Sequence, residues 1–143
     1  MVVHQKSVVI DAPVHEVFEL WRDWEDFPKY MSSVEEVRKL DGGLTHWEGN
    51  VAGFHESWDA KTTKLEEDKV IGWESVSGFQ NKGEIRFEQM AGGTELTVHI
   101  EYEPPAGIAG RAVEAVYVGK EFDDSLEHDL QHFKIQLETE RAA

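Results

Sequence analysis

The two hydrophobic periods of this chain occupy separate stretches. In "HQKSVVI" alternation predicts a strand ending near Asp11. "DAPVHEVFELW" then starts a helix, since Pro13 suits a first helical turn, where its missing N–H costs nothing. Val14, Val17, Phe18 and Trp21 share one face of it. Pro28 interrupts any continuation, so residues 24–31 read as a second short helix or turn carrying Trp24, Phe27, Tyr30 and Met31.

From residue 34 to 104 the period is two. "VEEVRKL", "LTHWEGNV", "FHESWDAKTTKL", "KVIGWESV", "KGEIRFEQM" and "TELTVHIEY" read as consecutive strands joined by short turns, an antiparallel meander. "DGG" and "AGG" are read as hairpin turns. Alternation puts Trp47, Gly49, Val51, Phe54, Glu56, Trp58, Ala60 and Thr62 on one face. That face continues through Ile71, Trp73, Ser75, Ile85 and Phe87, then Leu96, Val98, Ile100 and Tyr102. The opposite face carries Glu48, Asp59, Lys61, Glu84, Arg86, Glu88, Glu95 and Glu101. An antiparallel sheet with one apolar face is covered on that side only.

The cover comes from the C-terminus. Beyond "PPAG" the helical period returns, with Phe122, Leu126, Leu130, Phe133 and Leu137 forming a tight stripe. Continued backward, the stripe meets Gly119, Ala115, Ala112 and Ile108, so its first half presents small residues; Gly119 is also a position where the segment could divide into two helices. Neither repeats nor a linker interrupt the pattern, so one domain over residues 1–143 is expected.

Charge narrows the partners. Lys and Arg total 14 against 29 Asp and Glu, a net of −15. Such a surface repels phosphate backbones and anionic membranes, which are bound through clustered Lys and Arg. Cysteine is absent, which removes disulfides and thiolate metal sites and fits a reducing compartment. The N-terminus lacks the apolar core of a secretory signal. No apolar run approaches the roughly 18 residues of a membrane span, so a cytoplasmic protein is expected.

In its order of elements and in the stretches "VVIDAPVHEVFELWRDWEDFPKYM", "WDAKTTKLEEDKVIGWES" and "GEIRFEQMAGGTELTVHIEYEPP", the chain resembles the START-like (SRPBCC) superfamily. The narrower resemblance is to its polyketide cyclase/dehydrase and coenzyme-Q-binding branch, and it covers nearly the whole chain. It implies an α+β helix-grip fold. A curved antiparallel sheet of six or seven strands would wrap a long C-terminal helix, with two short helices after the first strand. Such a fold leaves a pocket between sheet and helix, and mostly apolar walls with a few polar groups describe a small-molecule site. Three tryptophans on one sheet face opposite alanines and glycine fit that pocket. They also fit simple interdigitation of large and small side chains.

The expected ligand-binding residues are therefore Trp47, Phe54, Glu56, Trp58, Trp73, Ser75, Phe87 and Tyr102 on the sheet, with Ala112 and Ala115 on the helix. Glu56 is the one catalytic candidate, because burial raises a carboxyl pKa toward the range of a general acid or base. A solvated carboxylate at the cavity mouth is the plainer account of it and carries more weight. His128 and His132 have the i, i+4 spacing of paired metal ligands but fall on the side of the helix away from Leu126, Leu130 and Phe133. His46 and His55 alternate outward. No metal site and no cofactor are expected, and no phosphate loop or nucleophile elbow occurs.

Two functions compete. One is a binding module for an apolar or aromatic small molecule of lipid, polyketide or quinone-like character. The other, implied by the resemblance, is a polyketide cyclase/dehydratase using the same cavity. Those enzymes appear with a pocket arginine or similar polar set, whereas Arg86 alternates outward. Binding is the favoured expectation.

Overall fold

The computed structural model describes residues 1–51, 53–104 and 112–143, with side chains of the last helix described from residue 119 onward. Strand β1 (Val2–Ile10) is followed by α1 (Val14–Trp21), a tight helical turn at Trp24–Asp26 and α2 (Phe27–Tyr30). Six strands come next: β2 (Val34–Lys39), β3 (Leu44–Val51), β4 (Phe54–Glu66), β5 (Val70–Gly78), β6 (Asn81–Met90) and β7 (Gly93–Tyr102). Helix α3 (Ala112–Ala142) follows and runs unbroken through Gly119.

The sheet order is β1-β7-β6-β5-β4-β3-β2. Every neighbouring pair is antiparallel. Strands β2 to β7 form the meander, and β1 returns beside β7. The short helices thus carry the chain from one edge strand to the other. This is the helix-grip arrangement: a curled sheet, one long helix in its concavity and two short helices at one end.

Alternation builds the inner face. On β7, Thr94, Leu96, Val98, Ile100 and Tyr102 are all buried, while Glu95, Thr97, His99 and Glu101 between them are half exposed. Register shifts between Asp59 and Ala60 and between Thr62 and Lys64 interrupt the pairing of β4 with β5. Such bulges bend a strand and increase its twist, which lets one sheet curl around a helix. At the second bulge Thr62 reaches the exposed rim, where its hydroxyl accepts the Trp24 indole N–H (3.1 Å). Opposite Trp73, a Cβ on Gly83 would come within 2.4 Å of the indole ring, so only glycine lets that ring lie flat on β6.

Helix α3 presents Phe122, Leu126, Leu130, Phe133 and Leu137 to this face, each no more than 7% exposed. It lies along β1 and is tied there by polar contacts: Lys134 Nζ donates to the Val9 carbonyl (2.8 Å) and Glu138 accepts the Asp11 N–H (2.8 Å). The aromatic run of residues 21–31 plugs the same end of the core. Trp21, Trp24, Phe27 and Met31 are buried, and Trp21 meets Phe133 of α3 edge-on at 5.4 Å. Phe27 meets Trp47 of the sheet at 5.5 Å. Among the described residues no helix is long and apolar enough to cross a membrane.

The stripe yields a direct stability test. Leu130→Ala removes a side chain buried between helix and sheet and should cost about 2–5 kcal/mol in urea unfolding. Ile135, on the outer side of the same helix and 61% exposed, should cost less than about 0.5 kcal/mol when replaced by alanine. Equal losses at the two positions would contradict this packing.

Candidate functional site: an aromatic cavity beside the last helix

Strands β3, β4 and β5 bring three indoles into one stack. Trp47 and Trp58 are cross-strand partners with ring centroids 5.6 Å apart and planes 19° from parallel. Trp47 and Trp73 lie at 5.4 Å and 23°. Met31, Val34, Val51, Phe79 and Ile100 continue the apolar wall, and Phe122 of α3 faces it. Ser33, Asn81 and Tyr102 supply the polar part of the lining. The volume of this cavity is about 30 Å³, which is room for about one water molecule.

Most of that polar lining is already engaged. Asn81 Oδ1 accepts the Trp73 indole N–H (2.8 Å), and its amide donates to the Phe79 carbonyl (2.9 Å). Among the described residues the Trp58 indole N–H is buried without a partner, as is that of Trp21 deeper in the core. An orphaned donor of this kind forfeits its hydration on folding, so an acceptor brought to it by a ligand would recover that loss.

Behind Tyr102 lies a chain of polar groups that alternation alone did not single out. His4 is 6% exposed on the inner side of β1. Its Nε2 lies 3.2 Å from the Tyr102 hydroxyl, and its Nδ1 lies 3.2 Å from Asp123 of α3. A carboxylate only accepts, so Nδ1 carries a proton; in the neutral ring Nε2 then accepts the Tyr102 O–H. Lys6 Nζ also meets Asp123, at 2.8 Å, and these two contacts hold the Asp123 carboxyl below its usual range, Lys6 contributing most. Burial pushes the Tyr102 phenol up to about 12, so at neutral pH it is a hydrogen-bond donor and not a phenolate. The sequence signal for His4 is its period-two spacing from Lys6, Val8 and Ile10.

Of the expected site residues, Trp47, Trp58, Trp73 and Tyr102 come together at the cavity. Four others do not line it. Phe54 and Glu56 are half-buried at the start of β4, opposite Val51 and Gly49. Ser75 spends its hydroxyl on the Asn81 backbone N–H (3.0 Å). Phe87 faces inward but packs edge-on against Phe18 of α1, at 5.3 Å. Alternation assigns a face but not a position along it. The side chains of Ala112 and Ala115 lie outside the described residues.

A second concavity adjoins the first. It is a cleft of about 270 Å³ lined by Ser32, Ser33, Asn50, Glu121, Phe122 and Ser125, sharing Ser33 and Phe122 with the cavity. A wider groove of about 620 Å³ crosses the outer sheet face, but charged side chains dominate it, and both Lys64 and Arg86 are paired with Glu84. That groove is a solvated face.

The other histidines are outside. His128 and His132 are exposed on α3. His46 and His55 point outward from β3 and β4 into a row of carboxylates: His46 contacts Asp59 (2.7 Å) and Glu48, and His55 contacts Glu48 (2.8 Å). Asp59 first and Glu48 second hold the His46 ring above its ordinary pKa, while His46 and His55 hold Glu48 below its own. Among the described residues, His15, Glu19 and Glu67 are the group whose ligand atoms lie close enough to share a cation; all three are exposed, and His15 Nδ1 is engaged by Asp68 (2.9 Å).

Known proteins share this chain's family and fold. The family described as polyketide cyclase / dehydrase and lipid transport matches residues 10–130. An uncharacterized protein of Streptomyces lincolnensis is 29% identical over 102 residues, covering 70% of this chain and 68% of that one. A crystal structure from Deinococcus radiodurans superposes with a TM-score of 0.76 at 28% identity, over 96% of this chain and 98% of that one. Two more distant structures share the fold. A START superfamily protein of Mycobacterium smegmatis has a TM-score of 0.72 at 15% identity, over 96% and 99% of the two chains. The Zhui aromatase/cyclase of a Streptomyces species has a TM-score of 0.66 at 17% identity, over 94% and 93%.

The His46 contacts make stability depend on pH. A ring whose pKa is raised by folding contributes fully below its unfolded value of about 6.5, and the contribution is lost as pH rises through the folded value. Glu48, lowered by folding, acts oppositely: its share is lost only as pH falls through its depressed value. The melting-temperature gap between wild type and His46→Gln should therefore be widest near pH 6 and shrink toward about pH 9. The contact of His15 with Asp68 titrates identically in both proteins and cancels. A gap independent of pH would contradict this account.

Proposed function

We propose that this chain, which belongs to the polyketide cyclase / dehydrase and lipid transport family, binds an apolar or aromatic small molecule between the inner sheet face and α3. The ligand would be of lipid, polyketide or quinone-like character. The observation that carries this reading is the stack of Trp47, Trp58 and Trp73 facing Tyr102 across an apolar cavity with few polar atoms. Flat rings present large apolar area in fixed orientations and favour flat partners. Because about 30 Å³ admits no such molecule, binding requires the lining to yield. Phe79, half-buried beside the β5–β6 turn, and Phe122 are the rings at its margin. The net charge of −15 argues against nucleic acid as partner, and a cysteine-free sequence fits the reducing cytoplasm.

A second reading, proton transfer to a bound ketone in the same cavity, is favoured by one observation: the chain Asp123–His4–Tyr102. Asp123 fixes the His4 tautomer, and His4 orients the Tyr102 hydroxyl at the cavity wall. When both His4 nitrogens carry a proton, Nε2–H donates to the phenol oxygen and frees the phenol proton to donate to a carbonyl oxygen and polarise it, the role of a general acid. The likeness to an aromatase/cyclase fold supports this reading at the level of fold alone.

Calorimetric titration with naphthol, a neutral aromatic probe, should show saturable one-to-one binding with a negative heat-capacity change, the marker of buried apolar surface. Trp58→Ala should weaken it at least about tenfold while the variant keeps a cooperative melt. Absence of saturable binding to the wild type would overturn the reading.

Tyr102→Phe separates carrier from catalyst. It removes the hydroxyl and keeps the ring, so apolar probes should bind within about threefold of wild type. If the cavity turns over an enolisable diketone, the variant should lose about 10²–10⁴-fold in rate with KM little changed. An unaltered rate would remove the phenol from the chemistry.

A further inference from the structure

Two concavities of opposite character meet at Phe122. On one side are the indoles of the cavity. On the other, the 270 Å³ cleft is walled by the hydroxyls of Ser32, Ser33 and Ser125, the Asn50 amide and the Glu121 carboxylate. Hydrogen bonds hold that wall in place. The Ser32 N–H and hydroxyl donate to Asp129 of α3 (2.9 and 3.0 Å), the hydroxyl also lies 3.1 Å from Ser125 Oγ, and the Asn50 N–H donates to the Ser33 carbonyl (2.8 Å). The Phe122 ring borders both spaces, 5.3 Å from the Tyr102 ring and 4.9 Å from that of His4.

We propose that the cleft is the head-group half of a two-compartment site in which Phe122 is a movable partition, and that the ligand is amphipathic, with a flat apolar body and an uncharged, hydroxyl-bearing head. The proposal rests on the reading that the cavity binds a ligand. Swinging the Phe122 ring aside joins the 30 Å³ cavity to the 270 Å³ cleft, about 300 Å³ in all. That is the lower end of the roughly 300–1,000 Å³ of small-molecule sites, whereas the cavity alone is too small for an aromatic ligand and the cleft adds the room it needs. The head-group chemistry follows from the wall. Serine hydroxyls and an amide both donate and accept, which suits a hydroxyl. Among the described residues Glu121 is the cleft's ionisable group, and a carboxylate head would meet its like charge there on a protein of net charge −15. Fatty-acid-like anions are therefore selected against, and neutral phenols or alcohols are selected for.

The test uses three probes with one ring system: naphthalene, naphthol and naphthoate at neutral pH. Naphthol should bind at least tenfold more tightly than naphthoate, and Glu121→Gln should narrow that ratio several-fold while leaving naphthalene unchanged. In stopped-flow mixing, Phe122→Ala should speed naphthol association several-fold; Phe122→Leu serves if the alanine variant does not fold. Equal affinities for naphthol and naphthoate, a ratio insensitive to Glu121→Gln, or an unchanged association rate would each overturn the two-compartment site while leaving the cavity reading intact. Failure of all three probes, naphthalene included, would overturn both.

Discussion

The rest of the structure depends on one burial problem: a seven-stranded sheet with a single apolar face is covered by a single long helix. Five side chains of α3 from Phe122 to Leu137 meet that face. A flat sheet of this width would leave its flanks wet, so the strands curl, with register shifts in β4 that let it bend. Curling brings β1 and β7 against the helix, while α1 packs on β6. The curl carries β3, β4 and β5 around the side of α3, where large rings fill the widening gap. The stacked tryptophans are thus first a solution to packing. A gap filled by stiff planar rings leaves voids at its margins, because flat shapes tile a curved surface imperfectly. The cavity beside Tyr102 and Phe122 is one such margin.

The same geometry explains the polar chain behind the cavity. β1 is an edge strand, and α3 lies against it, so the first strand's inward residues meet the helix and not solvent. His4 is buried this way and finds its partners 98 and 119 residues further along the chain. A buried imidazole with both nitrogens engaged is costly to leave half satisfied. Tyr102 and Asp123 therefore settle one another's orientation through it. On the outer face the opposite rule holds: histidines and carboxylates alternate in water, where each pair is worth little alone.

What was legible in the sequence follows from which signals are local. Period-two alternation from residue 34 to 104 and the spacing of Phe122, Leu126, Leu130, Phe133 and Leu137 identify the layers, and the strand order follows from short turns. Trp24, Phe27, Tyr30 and Met31 recur at the spacing of a short helix, and the structure closes one end of the core with that stretch. Position along a face is not local. Phe87 shares its face with Trp73 yet lies beneath α1, and Glu56 shares its face with Trp58 yet sits near the hairpin, away from the cavity. Curvature decides both, and it arises from bulges that no single residue announces. His4 was missed because its burial depends on a helix more than a hundred residues away.

A crystal of the protein grown with a bromonaphthol tests the central claim most directly, because anomalous scattering locates bromine without reference to the rest of the density. The account predicts one bromine per chain, placed among Trp47, Trp58 and Trp73, with the Phe122 ring turned from its place bordering cavity and cleft. Bromine found only on the outer sheet face, or no bound probe beside an unaltered tryptophan stack, would contradict it.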